Sequence, residues 1–143
     1  MNVASILHQK GRAVATVGPN VTLLDVADKL AAKRIGAVVV VEAGGKLGGI
    51  ISERDIIRAL AKDGHNCLKR PVSEVMTRNV VTCQETDTLD ELMAMMTARR
   101  FRHLPVVTDD ALVGIISIGD VVKHHVAEVE MEATAMREYI THS

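Results

Sequence analysis

Apolar residues recur along the chain with two periods, and the whole pattern is written twice. After Thr22 the positions Leu23, Val26, Ala27 and Leu30 follow the three-and-four spacing of an amphipathic helix. After Thr88 the positions Leu89, Leu92, Met93 and Met96 do the same, with Met95 placed off that face. Thr22 to Asp25 and Thr88 to Glu91 have capping-box spacing, in which hydroxyl and carboxylate satisfy orphan amides, so helices should open near Leu23 and Leu89. Ala37 to Val41 is an unbroken apolar run and Leu104 to Val107 its counterpart, which suits strands covered on both faces. Gly44-Gly45 and Asp109-Asp110 supply turn chemistry before the strands LGGIIS and LVGIIS, and a second helix follows each.

Written one above the other, the two stretches pair Thr16 with Thr82, Thr22 with Thr88, Leu23 with Leu89 and Arg34 with Arg100. Further on, Gly49 pairs with Gly114, Ser52 with Ser117 and Asp55 with Asp120, after one residue is lost in the intervening turn. The predicted class is α+β with an α/β-like unit. Two β-α-β-β-α repeats pack sheet to sheet about a pseudo-two-fold axis, because neither half has enough core to stand comfortably alone. The expected segments are a lead-in at 1–13, the first repeat at 14–61, a polar linker at 62–79, the second repeat at 80–126 and a helical tail at 127–143. VSEVM in the linker reads as a short helix. In the tail, Val122, Val126, Val129, Ala133, Met136 and Ile140 step by four and three, a heptad seam suited to packing against another helix.

Composition narrows the function classes. With 143 residues, 48% hydrophobic and 24% charged, the chain is a folded domain rather than a disordered or fibrous one. Seventeen Lys and Arg against eighteen Asp and Glu leave a net charge of -1, so no global field recruits nucleic acid or an anionic membrane. Aromatics are 1%, which removes the stacking surfaces that single-strand binders use. Two cysteines, Cys67 and Cys83, suit a reducing cytosol better than a disulfide-built secreted domain, and no apolar run has the length of a signal core or a membrane span. A cytoplasmic protein without nucleic-acid or membrane partners is therefore expected.

GIISERD and GIISIGD, each closing a repeat, together with RFRHLPVV in the second, resemble the cystathionine-β-synthase (CBS) domain family. The resemblance covers nearly the whole chain and implies a tandem pair, often called a Bateman module, that binds an adenosine-containing ligand such as AMP, ATP, NAD(H) or S-adenosylmethionine between the motifs. It implies that Asp55 and Asp120 accept hydrogen bonds from ribose hydroxyls. It also places Ser52 and Ser117 at helix N-termini, where free amides and the dipole favour a phosphate oxygen. Family members often carry Ser or Thr just before the aspartate. Here Arg54 and Gly119 stand there, which removes one common contact, with Arg54 as an electrostatic substitute. Adenine is expected at the extended lead-ins, near Thr16 and Val17 and near Thr82 and Cys83, and against strand residues such as Ala37, Leu104 and Pro105. Arg99, Arg100, Arg102 and His103 gather cationic donors in the second repeat where the first has Lys33, Arg34, Gly36 and Ala37. Unequal sites follow, with the cleft facing Arg102 and His103 the better for phosphorylated ligands. The family also commonly pairs into homodimers, and the heptad seam gives a local reason to expect one.

Other motifs read as structure. Ser-x-x-Asp alone is a helix cap and gains functional meaning from occurring twice. His124 and His125 are adjacent, point about 100° apart on a helix, and read as surface histidines rather than a metal pair. The methionines fill an aliphatic core, and the cysteines read as incidental thiols. GGKLGG lacks the spacing of a dinucleotide-binding turn. No Ser/His/Asp order and no acid pair supports catalysis, so a sensor without chemistry is expected, with no metal and no catalytic cofactor. The alternative is a ligand-free structural or interaction module that works through dimerisation, with a protein partner the sequence does not name.

Overall fold

The computed structural model describes residues 1–142. Helix α1 (Val3–Lys10) precedes the first repeat, which comprises β1 (Thr16–Val17), α2 (Leu23–Lys33), β2 (Ala37–Val41), β3 (Leu47–Ser52) and α3 (Glu53–Asp63). Two 3-10 turns, Gly64–Lys69 and Val72–Glu74, form the connection. The second repeat comprises α4 (Leu89–Arg99), β4 (His103–Thr108), β5 (Ala111–Ser117) and α5 (Ile118–His142), which runs unbroken into the tail. Both capping threonines accept a bond from the predicted amide, Thr22 from Asp25 and Thr88 from Glu91.

The repeats differ in one strand. In the first, β1 runs parallel to β2 with Thr16 opposite Val39 and Val17 opposite Val40, and β2 pairs antiparallel with β3. In the second, β4 and β5 form a two-stranded antiparallel sheet, and the expected lead-in strand shrinks to a single bridge between Cys83 and Val106. The cause is Pro105. In the first repeat Val39 N–H donates to Ala15 O at 3.1 Å, and the residue matching Val39 in the second is a proline with no N–H to give. The rung that would extend the strand is missing. Both hairpins otherwise slip register at matched points, Val40/Val41 and Val106/Val107.

Each core is completed by the segment that precedes the other repeat. Leu23, Val26, Val38, Val40 and Ile51 of the first repeat pack with Cys67, Val72 and Met76 of the connection. Leu89, Leu92, Leu104, Val106 and Ile116 of the second pack with Val3, Ile6 and Leu7 of α1. The two inserted segments are equivalent: Leu23 N–H donates to Arg70 O and Leu89 N–H to Met1 O, both at 3.0 Å, while Thr22 bridges Pro71 and Thr88 bridges Asn2. VASIL at 3–7 thus matches VSEVM at 72–76. Glycines make room for them. A Cβ at Gly49 would lie 2.6 Å from Met76 Sδ and 2.7 Å from Thr77 O, and one at Gly114 would lie 2.6 Å from Leu7 Cδ2.

Two details correct the sequence reading. His124 is buried at 5% exposure, because it falls three residues after the core residue Val121 on the inward face of α5, and His125 is half-buried. Met95 is not off the packed surface but half-buried against the second core. Both cysteines are buried and unbridged. Along α5 the seam residues Val122, Val126, Val129, Met136 and Ile140 are exposed, joined by Met131 and Tyr139.

Candidate ligand clefts

The matched Ser-x-x-Asp segments fold into the same device. Ser52, in extended conformation at the end of β3, caps α3: its N–H and Oγ donate to Asp55 Oδ2 at 2.8 and 2.9 Å, and Asp55 N–H returns a bond to Ser52 Oγ at 3.3 Å. Ser117 and Asp120 repeat this at the start of α5, with 2.8, 2.9 and 3.2 Å. Each carboxylate is thereby locked at a helix N-terminus, half-buried, at the edge of a cleft.

The cleft at Asp55 has a volume of about 430 Å³. Ser52, Arg54, Asp55 and Arg58 form one side together with Thr77, which bridges Ile50 of β3, and the facing wall comes from the second half: Asn79 to Val81, then Arg100, Arg102 and His103, then Ser117 and Gly119. The cleft at Asp120, about 540 Å³, has the mirrored construction, with Ala13, Val14 and Ala15 opposite Asp120, and Lys10, Lys33 and Arg34 around it. Each aspartate therefore faces the lead-in of the other repeat. Gly36, His103 and Ser117 line both clefts. A Cβ at Gly36 would stand 3.3 Å from His103 Nε2, so the imidazole lies against the glycine backbone and forms a partition between the two spaces.

Two matched arginines frame the clefts from strained backbone. Arg34 (φ 53°) ends α2 and Arg100 (φ 58°) ends α4, both left-handed, where glycine costs least. Of these two clefts, Arg34 lines the one at Asp120 and Arg100 the one at Asp55.

The electrostatics separate the two carboxylates. Asp120 Oδ2 takes a third partner, Lys10 Nζ at 2.6 Å, and the same ammonium donates to Ile115 O at 2.7 Å. Burial pushes the Asp120 carboxyl up, but the Lys10 bond and the Ser117 donors together outweigh it and hold it below the usual aspartate range. Among the described residues Asp55 has no such cation; its bonds go to Ser52. His103 is shifted down, first by burial and then by the Lys10 charge, with Arg102 acting in the same sense and Glu53 and Asp120 opposing, so the neutral imidazole is favoured.

Of the residues singled out from sequence, the structure gathers Ser52, Arg54, Asp55, Arg100, Arg102, His103, Ser117 and Gly119 around the Asp55 cleft. It gathers Ala37, His103, Ser117 and Asp120 around the other. Thr16, Val17, Thr82, Cys83, Leu104 and Pro105 line neither. Thr16 and Val17 are in β1, pairing with β2, and Cys83, Leu104 and Pro105 are buried; burial pushes the Cys83 thiol up to about 12, with the Asp87 charge adding to it, and such a thiol is unreactive. The lead-in walls are instead the residues just upstream, 13–15 and 79–81. Their signal was present in the sequence, since an extended chain entering a strand exposes its last free residues before pairing begins. Lys10 and Arg58 carried no such signal.

With this geometry in place, the comparisons are specific. The CBS domain family profile matches residues 7–62 and 72–127, and the chain belongs to that family as a tandem pair. A crystal structure of a CBS-domain containing protein from Agrobacterium tumefaciens is similar at 52% identity, TM-score 0.84, covering 85% of this chain and 91% of that one. The CBS domain pair of protein MJ0100, solved in complex with 5'-methylthioadenosine and S-adenosyl-L-methionine, is similar at 31% identity and TM-score 0.79, over 90% of this chain and 98% of that one. A CBS domain protein from Pyrobaculum aerophilum complexed with AMP is similar at 28% and TM-score 0.75, over 84% and 89%. A mitochondrial CBS domain-containing protein of Arabidopsis thaliana is 36% identical over 83% of this chain, which spans 60% of that relative's length. No described helix is long and apolar enough to cross a membrane.

Proposed function

We propose that the chain is a regulatory, non-catalytic module that binds an adenosine-containing ligand in its two clefts. The observation that carries this reading is the duplicated Ser–Asp device, each copy presenting a carboxylate to a cleft walled by the opposite repeat. A vicinal ribose diol donates to such a carboxylate, while the amides of the helix start attract a phosphate oxygen. Four arginines and His103 around Asp55 suit a phosphorylated member of the class, the AMP, ATP or NAD(H) group, and the AMP and S-adenosylmethionine complexes of similar proteins support the adenosine moiety. Ligand acts by binding two arrangements of the halves unequally. Because each cleft draws its walls from both repeats, a bound nucleotide ties them together.

The test is a thermal-shift series with AMP, ADP, ATP, NAD, NADH and S-adenosylmethionine, run on the protein and on Asp55→Asn and Asp120→Asn. A ligand at a hundredfold excess over its dissociation constant adds about 2.7 kcal/mol of apparent stability. Shifts confined to adenosine compounds and lost in one variant support the reading, and no shift from any of them overturns it.

The exposed apolar seam of α5 favours a second, compatible role in self-association. Val122, Val126, Val129, Met136 and Ile140 keep a heptad spacing that a second copy of the helix matches, giving a homodimer. Light scattering on Val126→Glu/Val129→Glu should return half the mass of the parent, and equal masses remove the dimer.

A further inference from the structure

Lys10 stands where the Asp120 cleft would hold a ribose. Its ammonium is bound to Asp120 Oδ2 at 2.6 Å and to Ile115 O at 2.7 Å, and that Oδ2 already accepts the Ser117 N–H and Oγ–H. The two Ser117 donors already occupy the lone-pair sites of that oxygen, as the two Ser52 donors do at Asp55 Oδ2, so what sets Asp120 apart is the added cation. In both copies Oδ1 is the oxygen left for a ribose hydroxyl, and at Asp120 it belongs to a carboxylate that already holds the Lys10 ammonium. The ion pair is partly buried, with side-chain exposures of 30% and 20%, and so is less weakened by water than a fully exposed pair. It also joins two distant segments. Lys10 is the last residue of α1, followed by Gly11 at φ 102°, and Ala13 to Ala15 continue from there as the facing wall of the cleft.

We infer that Lys10 is the specificity-determining residue of the Asp120 cleft, a tethered cation that must be taken over by an anionic group of the ligand before Asp120 can receive the ribose. A neutral nucleoside has nothing to offer the ammonium and loses the energy of the pair it breaks. A nucleotide transfers Lys10 from carboxylate to phosphate and keeps a charge-assisted bond on each side. Lys33, Arg34 and His103 lie in the same cleft, but among the described residues the cation bonded to Asp120 is Lys10, so the discrimination falls to it. The Asp55 cleft, with no cation on its carboxylate, accepts nucleosides and nucleotides with less contrast. The two clefts then differ in ligand charge selectivity although their Ser–Asp devices are alike. This rests on the adenosine-binding reading above.

The test compares adenosine with AMP on the protein, Lys10→Met and Lys10→Arg, following amide NMR shifts of Ala15 and Ile115 for one cleft and Ser52 for the other. Lys10→Met keeps the length and apolar stem of the side chain. It should bind adenosine about tenfold more tightly at the Asp120 cleft while AMP gains less or weakens, so the AMP preference there collapses. Lys10→Arg should keep it, and titrations at Ser52 should not change. Adenosine affinity at the Asp120 cleft that is unchanged or weaker in Lys10→Met, with binding otherwise intact, overturns this inference alone. Failure of both ligands to move either set of amides in any of the three proteins overturns the adenosine-binding reading, and the inference with it.

Discussion

Asp55 and Asp120 occupy settings that agree to within 0.1 Å in every Ser–Asp hydrogen bond, yet one carboxylate is open to its cleft and the other is held by Lys10. The same contrast runs through the halves. They share capping threonines, a matched bulge and a left-handed arginine, and differ where a single residue changes the available chemistry: Pro105 for Val39, His103 for Ala37, Arg102 for Gly36. The first of these changes the sheet, and the other two change what faces the clefts.

The largest expected effects test whether the two cores are built alike. Leu7→Ala should destabilise the second core by about 3 kcal/mol through the cavity left under Gly114, read as a shift of the denaturant midpoint. A loss below 1 kcal/mol would mean that α1 is not part of that core. Filling the two glycines should break the symmetry. A Cβ at Gly49 meets the Thr77 carbonyl, which cannot yield, and Gly49→Ala should cost about 3 kcal/mol, whereas at Gly114 only the tip of Leu7 must move and the cost should be about 1 kcal/mol. Equal costs would remove the distinction.

Arg100→Gly separates fold from ligand. It relieves a left-handed non-glycine residue, so stability should hold or rise by about 0.5 kcal/mol, while affinity for a phosphorylated nucleotide at the Asp55 cleft should fall roughly tenfold. A stable protein with unchanged affinity would mean that the arginine serves the helix end only.

The smallest effect is on pH. His103 is depressed in the folded state, so below its ordinary value of 6.5 the unfolded chain takes up the proton first and stability declines as pH falls through that value toward the folded one. Asp120 is depressed too, and its contribution is complete above the ordinary value of 3.8 and lost as pH falls through its lower folded value. His103→Gln should therefore flatten the decline that begins as pH falls below 6.5. A phosphate beside His103 favours the imidazolium, so the AMP to adenosine affinity ratio should rise as pH falls below 6.5.

Much of this was legible in the chain. The repeat exposed two equal units, the threonine caps located α2 and α4, and the paired aspartates marked both clefts. What sequence reasoning missed belongs to contacts between distant segments. Lys10 meets Asp120 only because α1 crosses to the second core. VASIL was hidden because the stretch between it and Thr16 is longer than the one from VSEVM to Thr82, so alignment on the threonines leaves it unmatched. Thr16 and Thr82 were placed in the clefts because the boundary between free lead-in and paired strand is set by hydrogen bonding, which periodicity does not resolve.

The crossed completion of the cores also sets an order of assembly during synthesis. Once Met76 has emerged from the ribosome every residue of the first core is available, and that half can close. Val3, Ile6 and Leu7 are made first of all, yet their partners Leu104, Ile116 and Val121 come last. The earliest helix is therefore left waiting, its apolar face unmatched, until the final strand and helix arrive, and that interval is when the nascent chain most needs protection from other hydrophobic surfaces.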